Sequence, residues 1–167
     1  MARTKRKHLP PALSAHLPSA DRPLVAEPLD DGAWAVLARG ALSVVAEDGV
    51  RWRRPWHEVD RGEWDDEQHT MTLTWVDGSP ATILILTNDA PREFPSTIRE
   101  LVQSSLVHLE TARLPGGVVL RAAIRRSEDG SLFSQVSSTG QVRRDPYLEQ
   151  KIDALEARVR SAVGLDG

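Results

Sequence analysis

The sequence predicts an α+β protein: a meandering antiparallel β-sheet or partly open barrel with an amphipathic helix, an added β-hairpin and a C-terminal helix. Three features predict it. Short apolar runs alternate with threonine or charged residues and are separated by glycine-bearing turns. Four of the five tryptophans (Trp52, Trp56, Trp64 and Trp75) fall between Val50 and Val76, with Trp34 just upstream. Two segments, opening at Ser96 and Asp145, carry leucines and branched aliphatics at the spacing of one helix face.

At 167 residues the chain fits one domain, and a domain of that size buries roughly 70% of the surface its unfolded form exposes. No apolar run approaches a membrane span, and the first residues lack the apolar middle of a secretory signal. The expected location is therefore cytoplasmic. The absence of cysteine removes disulfides, thiolate metal sites and cysteine nucleophiles together.

Residues 1–31 hold five of the eleven prolines (Pro10, Pro11, Pro18, Pro23 and Pro28), which blocks helix and central strand over most of the segment. An extended arm is expected there, with Leu13, Leu17, Leu24, Val25 and Leu29 able to lie along the domain. Its start is basic. Net charge is −3 overall, yet Arg3, Lys5, Arg6 and Lys7 contribute +4, leaving −7 for the remainder. Such an arm suits phosphates, a membrane surface or the chain's own acidic face.

From Gly32 the pattern is that of strands. Ala33–Ala38 and Leu42–Val45 flank Arg39-Gly40, and Glu47-Asp48-Gly49 turns the chain into Val50–Arg54. A fourth strand is expected over Trp56–Val59, ending at Gly62–Asp65, and a fifth returns over Met71–Val76 with alternating large residues and threonines. After Asp77-Gly78, the run Thr82–Leu86 reads as a sixth strand covered on both faces.

Ser96 then opens a helix with Ile98, Leu101, Val102, Ser105, Leu106 and Leu109 on one stripe, ended by Pro115-Gly116-Gly117. Val118–Arg125 and Leu132–Val136, joined through Glu128-Asp129-Gly130-Ser131, form a second hairpin. Asp145 as N-cap and Pro146 as first helical residue open the last helix, which carries Leu148, Ile152, Leu155, Val159 and Ala162 and closes at Gly164. The expected divisions are an arm over 1–31, a sheet with closing helix over 32–110, a hairpin extending the same domain over 111–142, and a terminal helix over 143–167.

The step Pro55-Trp56-His57-Glu58-Val59, then Trp64-Asp65, then Val76-Asp77-Gly78, within meandering strands followed by an amphipathic helix, resembles a bacterial pleckstrin-homology-like domain over residues 32 to 110. The whole chain is also similar to a group of uncharacterised actinobacterial proteins, through its Trp-His-Glu-Val-Asp segment and the hairpin from Ala123 to Val136. The first resemblance implies a seven-stranded sheet with a closing helix, and a binding function. Lipid-binding members carry lysines and arginines through a long first hairpin loop. Here that loop is about Arg39-Gly40, so phosphoinositide binding is not expected.

His57, Asp60, Asp65, Asp66, Glu67 and His69 form the densest group of ligand or proton-carrying residues. Strand alternation separates His57 from Glu58 and Asp60, and the acids read as a solvated turn. No metal-ligand spacing, nucleophile frame or phosphate loop is present. No catalytic residue, cofactor or metal is therefore expected. The tryptophans are expected to fill the core, with Trp52 the exception, packed beneath guanidinium groups of Arg51, Arg53 and Arg54.

The candidate interaction surface comprises Arg3, Lys5, Arg6, Lys7, Trp52, Arg53, Arg121 and Arg125. Arg121 and Arg125 share one side of a strand and offer a phosphate span, or serve as edge charges that block unwanted pairing. The last helix docks on its own domain or on a second copy as a homodimer. Three functions stay open. The first is a non-enzymatic protein-interaction or scaffold module. The second is a nucleic-acid or ribonucleoprotein accessory using the basic arm, and the third is a small-ligand binder or enzyme at His57 and its neighbouring acids.

Overall fold

Alternating burial along each β segment fixes where the core lies in the computed structural model of the protein, which describes residues 8–165. The chain divides at Gln103/Ser104 into two units, each with its own core.

The first unit opens with a single helical turn, α1 (Pro11–Ser14), and holds two antiparallel sheets. β1 (Pro23–Pro28), β2 (Trp34–Ala38), β3 (Ala41–Ala46) and β4 (Gly49–Pro55) pair in that order. β5 (Val59–Asp65), β6 (Thr70–Trp75) and β7 (Thr82–Ile85) pair likewise, and α2 (Glu93–Ser105) follows. Both sheets turn apolar residues inward: Leu37, Leu42 and Val44 from one, Met71, Leu73 and Leu84 from the other, with Phe94 and Ile98 of α2 completing the core. At Gly62 an added Cβ would lie 3.2 Å from Ile98 Cγ2, so α2 approaches β5 as closely as it does because that residue has no side chain. The outer face of β2 and β3 is buried too, by Leu13 of α1 with Leu9, Leu17 and Trp34 around Val36 and Val45.

Three sequence expectations are corrected in this unit. Residues 23–28 are not an arm but an edge strand, paired with β2 from Pro23↔Ala38 to Pro28↔Trp34. An edge strand needs donors on one side only, which accommodates a proline at each end. Trp56–Glu58 is a 3₁₀ turn and not a strand. Pro55 closes β4, and the turn redirects the chain into β5 while burying the Trp56 ring. The Thr82–Leu86 run is not covered on both faces: Leu84 is buried, while Ile83 and Ile85 are exposed on β7 at the sheet edge.

The second unit is a three-stranded sheet with one helix. β8 (Leu106–Arg113), β9 (Val119–Arg126) and β10 (Leu132–Thr139) lie in the order β10-β9-β8. α3 (Pro146–Ala162) lays Leu148, Leu155 and Val159 against Leu120, Ala122 and Ile124 of β9. The heptad stripe is thus buried in cis. Asp145 accepts the Leu148 amide at 2.8 Å to cap α3. At the other end Leu165 N–H donates to Arg160 O and Gly164 N–H to Ser161 O, a Schellman closure that uses the positive φ of Gly164.

Two further expectations change here. The helix expected to open at Ser96 and to carry Leu106 and Leu109 instead runs from Glu93 to Ser105. Ser96 lies inside it, its hydroxyl donating to Arg92 O and Glu93 O at 3.2 Å and not capping the start, and the eight residues after Ser105 are β8. Burial along β8 alternates residue by residue, and its β-branched Val107 and Thr111 suit a strand. The hairpin, expected to extend or cap the first sheet, does not extend it: it pairs with β8 in a sheet of its own. No helix among the described residues is long and apolar enough to cross a membrane.

Candidate interaction surface

Of the residues expected to form a basic surface, Arg53 and Arg125 are committed to structure. Arg3, Lys5, Arg6 and Lys7 lie outside the described residues. Arg53 of β4 donates from Nε and a terminal nitrogen to the two carboxylate oxygens of Asp21, at 2.6 and 3.0 Å, and Asp21 is buried. Burial makes this a clamp on the chain entering β1 and removes Arg53 from solvent duty.

Arg121 and Arg125 do share one side of β9, opposite Leu120, Ala122 and Ile124. Arg125 is nonetheless buried and donates to Ser105 Oγ at 3.0 Å, which corrects its reading as a surface charge. Arg121 is half-buried between Thr111 and Ser137.

The indoles mostly build the interior. Trp56 is buried and its Nε1 donates to Ala38 O at 2.8 Å, while Trp75 is buried with Nε1 on Thr82 Oγ1 at 3.0 Å. Trp52 packs edge-on against Trp75 at 5.8 Å between centroids. The guanidinium that stacks is Arg54's, and it lies over Trp75, 3.9 Å from the ring centroid. That corrects the expectation for Trp52: the ring beneath the cation is the next one inward. Arg54 is held there by Asp77 at 2.8 Å and Glu58 at 3.4 Å. Hydrogen bonds from the Ser79 side chain and amide, followed by the Arg54 guanidinium, hold the Asp77 carboxyl down at about 2. Trp34 and Trp64 are half-buried.

His57 sits in the 3₁₀ turn, whereas Asp65 to His69 span the β5–β6 turn, so the sequence cluster is split. Among the described residues no three histidine or acidic groups converge on a position that would hold a metal ion.

What the structure does bring together is a groove of about 570 Å³ on the β5–β6–β7 sheet, lined by Glu63, Trp64, Asp65, Asp66, Gln68, Thr70, Thr72 and Ile83. Its order follows from register. Glu63 pairs with Thr72, which pairs with Ile83; Asp65 pairs with Thr70, which pairs with Ile85. Paired residues in a sheet point to the same face, so two parallel rows run from carboxylate through hydroxyl to isoleucine. Asp65 Oδ1 accepts the amides of Glu67 and Gln68 and fixes the turn, and Trp64 Nε1 donates to Asp66 Oδ1 at 3.2 Å. His69, at φ 52, closes the turn in the left-handed region.

Sequence reasoning missed Ile83 and Ile85, because an unbroken aliphatic run has the same appearance whether one face or both are covered. The usable signal was the threonine alternation of the neighbouring strand, which marks this sheet as open on one side. Compared with known proteins, the chain matches no family model, no curated protein and no solved structure.

Proposed function

We propose that the protein is a non-enzymatic protein-interaction module whose first unit is pleckstrin-homology-like and recognises its partner on the β5–β6–β7 sheet. The arrangement of four strands, then three, then an amphipathic helix supports the resemblance, and Pro23–Pro28 supplies the strand that the sequence reading lacked. The observation that carries the binding surface is the exposure of Ile83 (61%) and Ile85 (41%), two residues apart on one face. Single exposed aliphatics are ordinary, but an adjacent pair beside a groove is the kind of patch that marks a contact site. The last helix is a weaker candidate, since its apolar stripe is already spent on β9.

Quantitative affinity capture with the full chain and with the Ile83→Lys/Ile85→Lys double variant tests this reading. Surface substitutions of this kind leave stability within about 0.5 kcal/mol, so the variant should melt with the wild type while recovering its specific partners at roughly a tenth of the level or less. Equal recovery by both chains would contradict it.

A further inference from the structure

We propose that the open face of the β5–β6–β7 sheet takes a basic amphipathic helix of a protein partner, with its apolar stripe on Ile83 and Ile85 and its cationic flank on Glu63, Asp65 and Asp66. This rests on the reading of the sheet as a binding surface and adds the chemistry and secondary structure of what binds.

Helix is favoured over added strand because the outer edge of β7 is partly closed by the chain itself. Leu29 bridges Leu86, Asp30 N–H donates to Ile85 O at 3.0 Å, and Thr87 N–H donates to Pro28 O at 3.1 Å. An incoming strand would find only the first residues of a four-residue β7 unbridged, too short a ladder for strand addition. The face, by contrast, has the dimensions of a helix. Its outer strands lie two inter-strand spacings apart, roughly 10 Å, against a helix diameter of about 10–12 Å. Along the strands its two rows are separated by two residues, roughly 7 Å, close to the i to i+4 rise of a helix, about 6 Å.

Charge complementarity sets the sign of the occupant. One long side of the face carries Glu63 and Asp65, with Asp66 at its end, and the other carries isoleucine. The one cation beside them on β5, Arg61, lies 3.5 Å from Glu63 with both side chains 62% exposed, a contact weak enough to be exchanged. The carboxylates are spread along the strand and turn instead of converging, so they suit a series of spaced cations on a side-chain row and not a single ion. A helix with leucines at i, i+4 and i+7 and lysine or arginine along one flank satisfies both sides at once.

Three synthetic helical peptides of one leucine stripe, with the flank made of lysine and arginine, of glutamine, or of glutamate, test this by fluorescence anisotropy on the full chain. The basic peptide should bind tightest, about tenfold over the glutamine peptide at low salt, with an advantage that shrinks as salt rises. Glu63→Gln/Asp66→Asn should remove most of that advantage while affecting the glutamine peptide far less, and Ile83→Lys should weaken both. Asp65 is left intact because it fixes the turn, and matched melting temperatures show that each variant is folded. Equal binding of the basic and glutamine peptides, both weakened by Ile83→Lys, would overturn the cationic partner and leave the surface reading standing. Failure of every peptide to bind, with Ile83→Lys and wild type capturing the same proteins, would overturn both.

Discussion

Trp56→Ala is expected to destabilise the first unit by about 3–5 kcal/mol, the range for deleting a buried indole. Its ring is only 4% exposed and packs within the cluster that joins β2, β3, β6 and α2. Trp56→Phe separates the two contributions. It keeps most of the apolar volume but withdraws the donor from Ala38 O, and leaving that buried carbonyl without the indole costs about 1–3 kcal/mol. Chemical denaturation of the two variants should therefore give a graded series, with alanine well below phenylalanine. Two variants as stable as wild type would mean that the ring is a surface feature, and the reading of the indole-rich segment as interior would fall.

The second large effect is expected at the clamp between Asp21 and Arg53. Arg53→Met leaves a carboxylate whose side chain is 3% exposed without its bidentate partner, and should cost about 2–4 kcal/mol, the lower part of the range reflecting the 28% exposure of the arginine. Asp21→Leu/Arg53→Met should recover most of that loss, because a buried pair replaced by apolar groups no longer pays for desolvation. A double-mutant cycle by denaturation reads the coupling directly. If Arg53 were a phosphate-binding residue, Arg53→Met would instead leave stability unchanged and lower affinity for a polyanion.

These two sites show what the sequence revealed and where it stopped. Apart from the 3₁₀ turn at Trp56–Glu58, most strand and turn positions from Gly32 to Gly78 were legible because glycine and aspartate punctuate short alternating runs: Asp77-Gly78, with Gly78 at φ +77, is one case. The cap and the Schellman closure of α3 were equally legible, because the Asp145 carboxylate accepts an otherwise unpaired amide at the helix start and Gly164 takes the positive φ that the closure needs. Partnership over long separations was not. Nothing local in Pro23–Pro28 says that β2 lies beside it, and Leu106 and Leu109 fit a helical stripe as well as they fit β8 until their pairing with β9 is known.

The candidate surface followed the same divide. Arginine at positions 53 and 125 suggested exposed cations, but whether a guanidinium meets solvent or a carboxylate 32 residues away is a tertiary fact. The acidic turn at Asp65 to Glu67 was visible as a solvated loop. Its alignment with Thr70, Thr72 and the two isoleucines came only from register, since a shift of one residue would have turned the isoleucines inward.

Side-chain NMR of the full chain, with isoleucine methyls and indole N–H groups observed before and after addition of the basic helical peptide, tests most directly that the indoles form interior while recognition belongs to the open sheet face. The account predicts that the Ile83 and Ile85 methyl signals move on binding, and that the Trp56 and Trp75 indole protons exchange slowly and keep their positions throughout. Rapidly exchanging indole protons that shift on binding, with the two methyl signals unmoved, would contradict it.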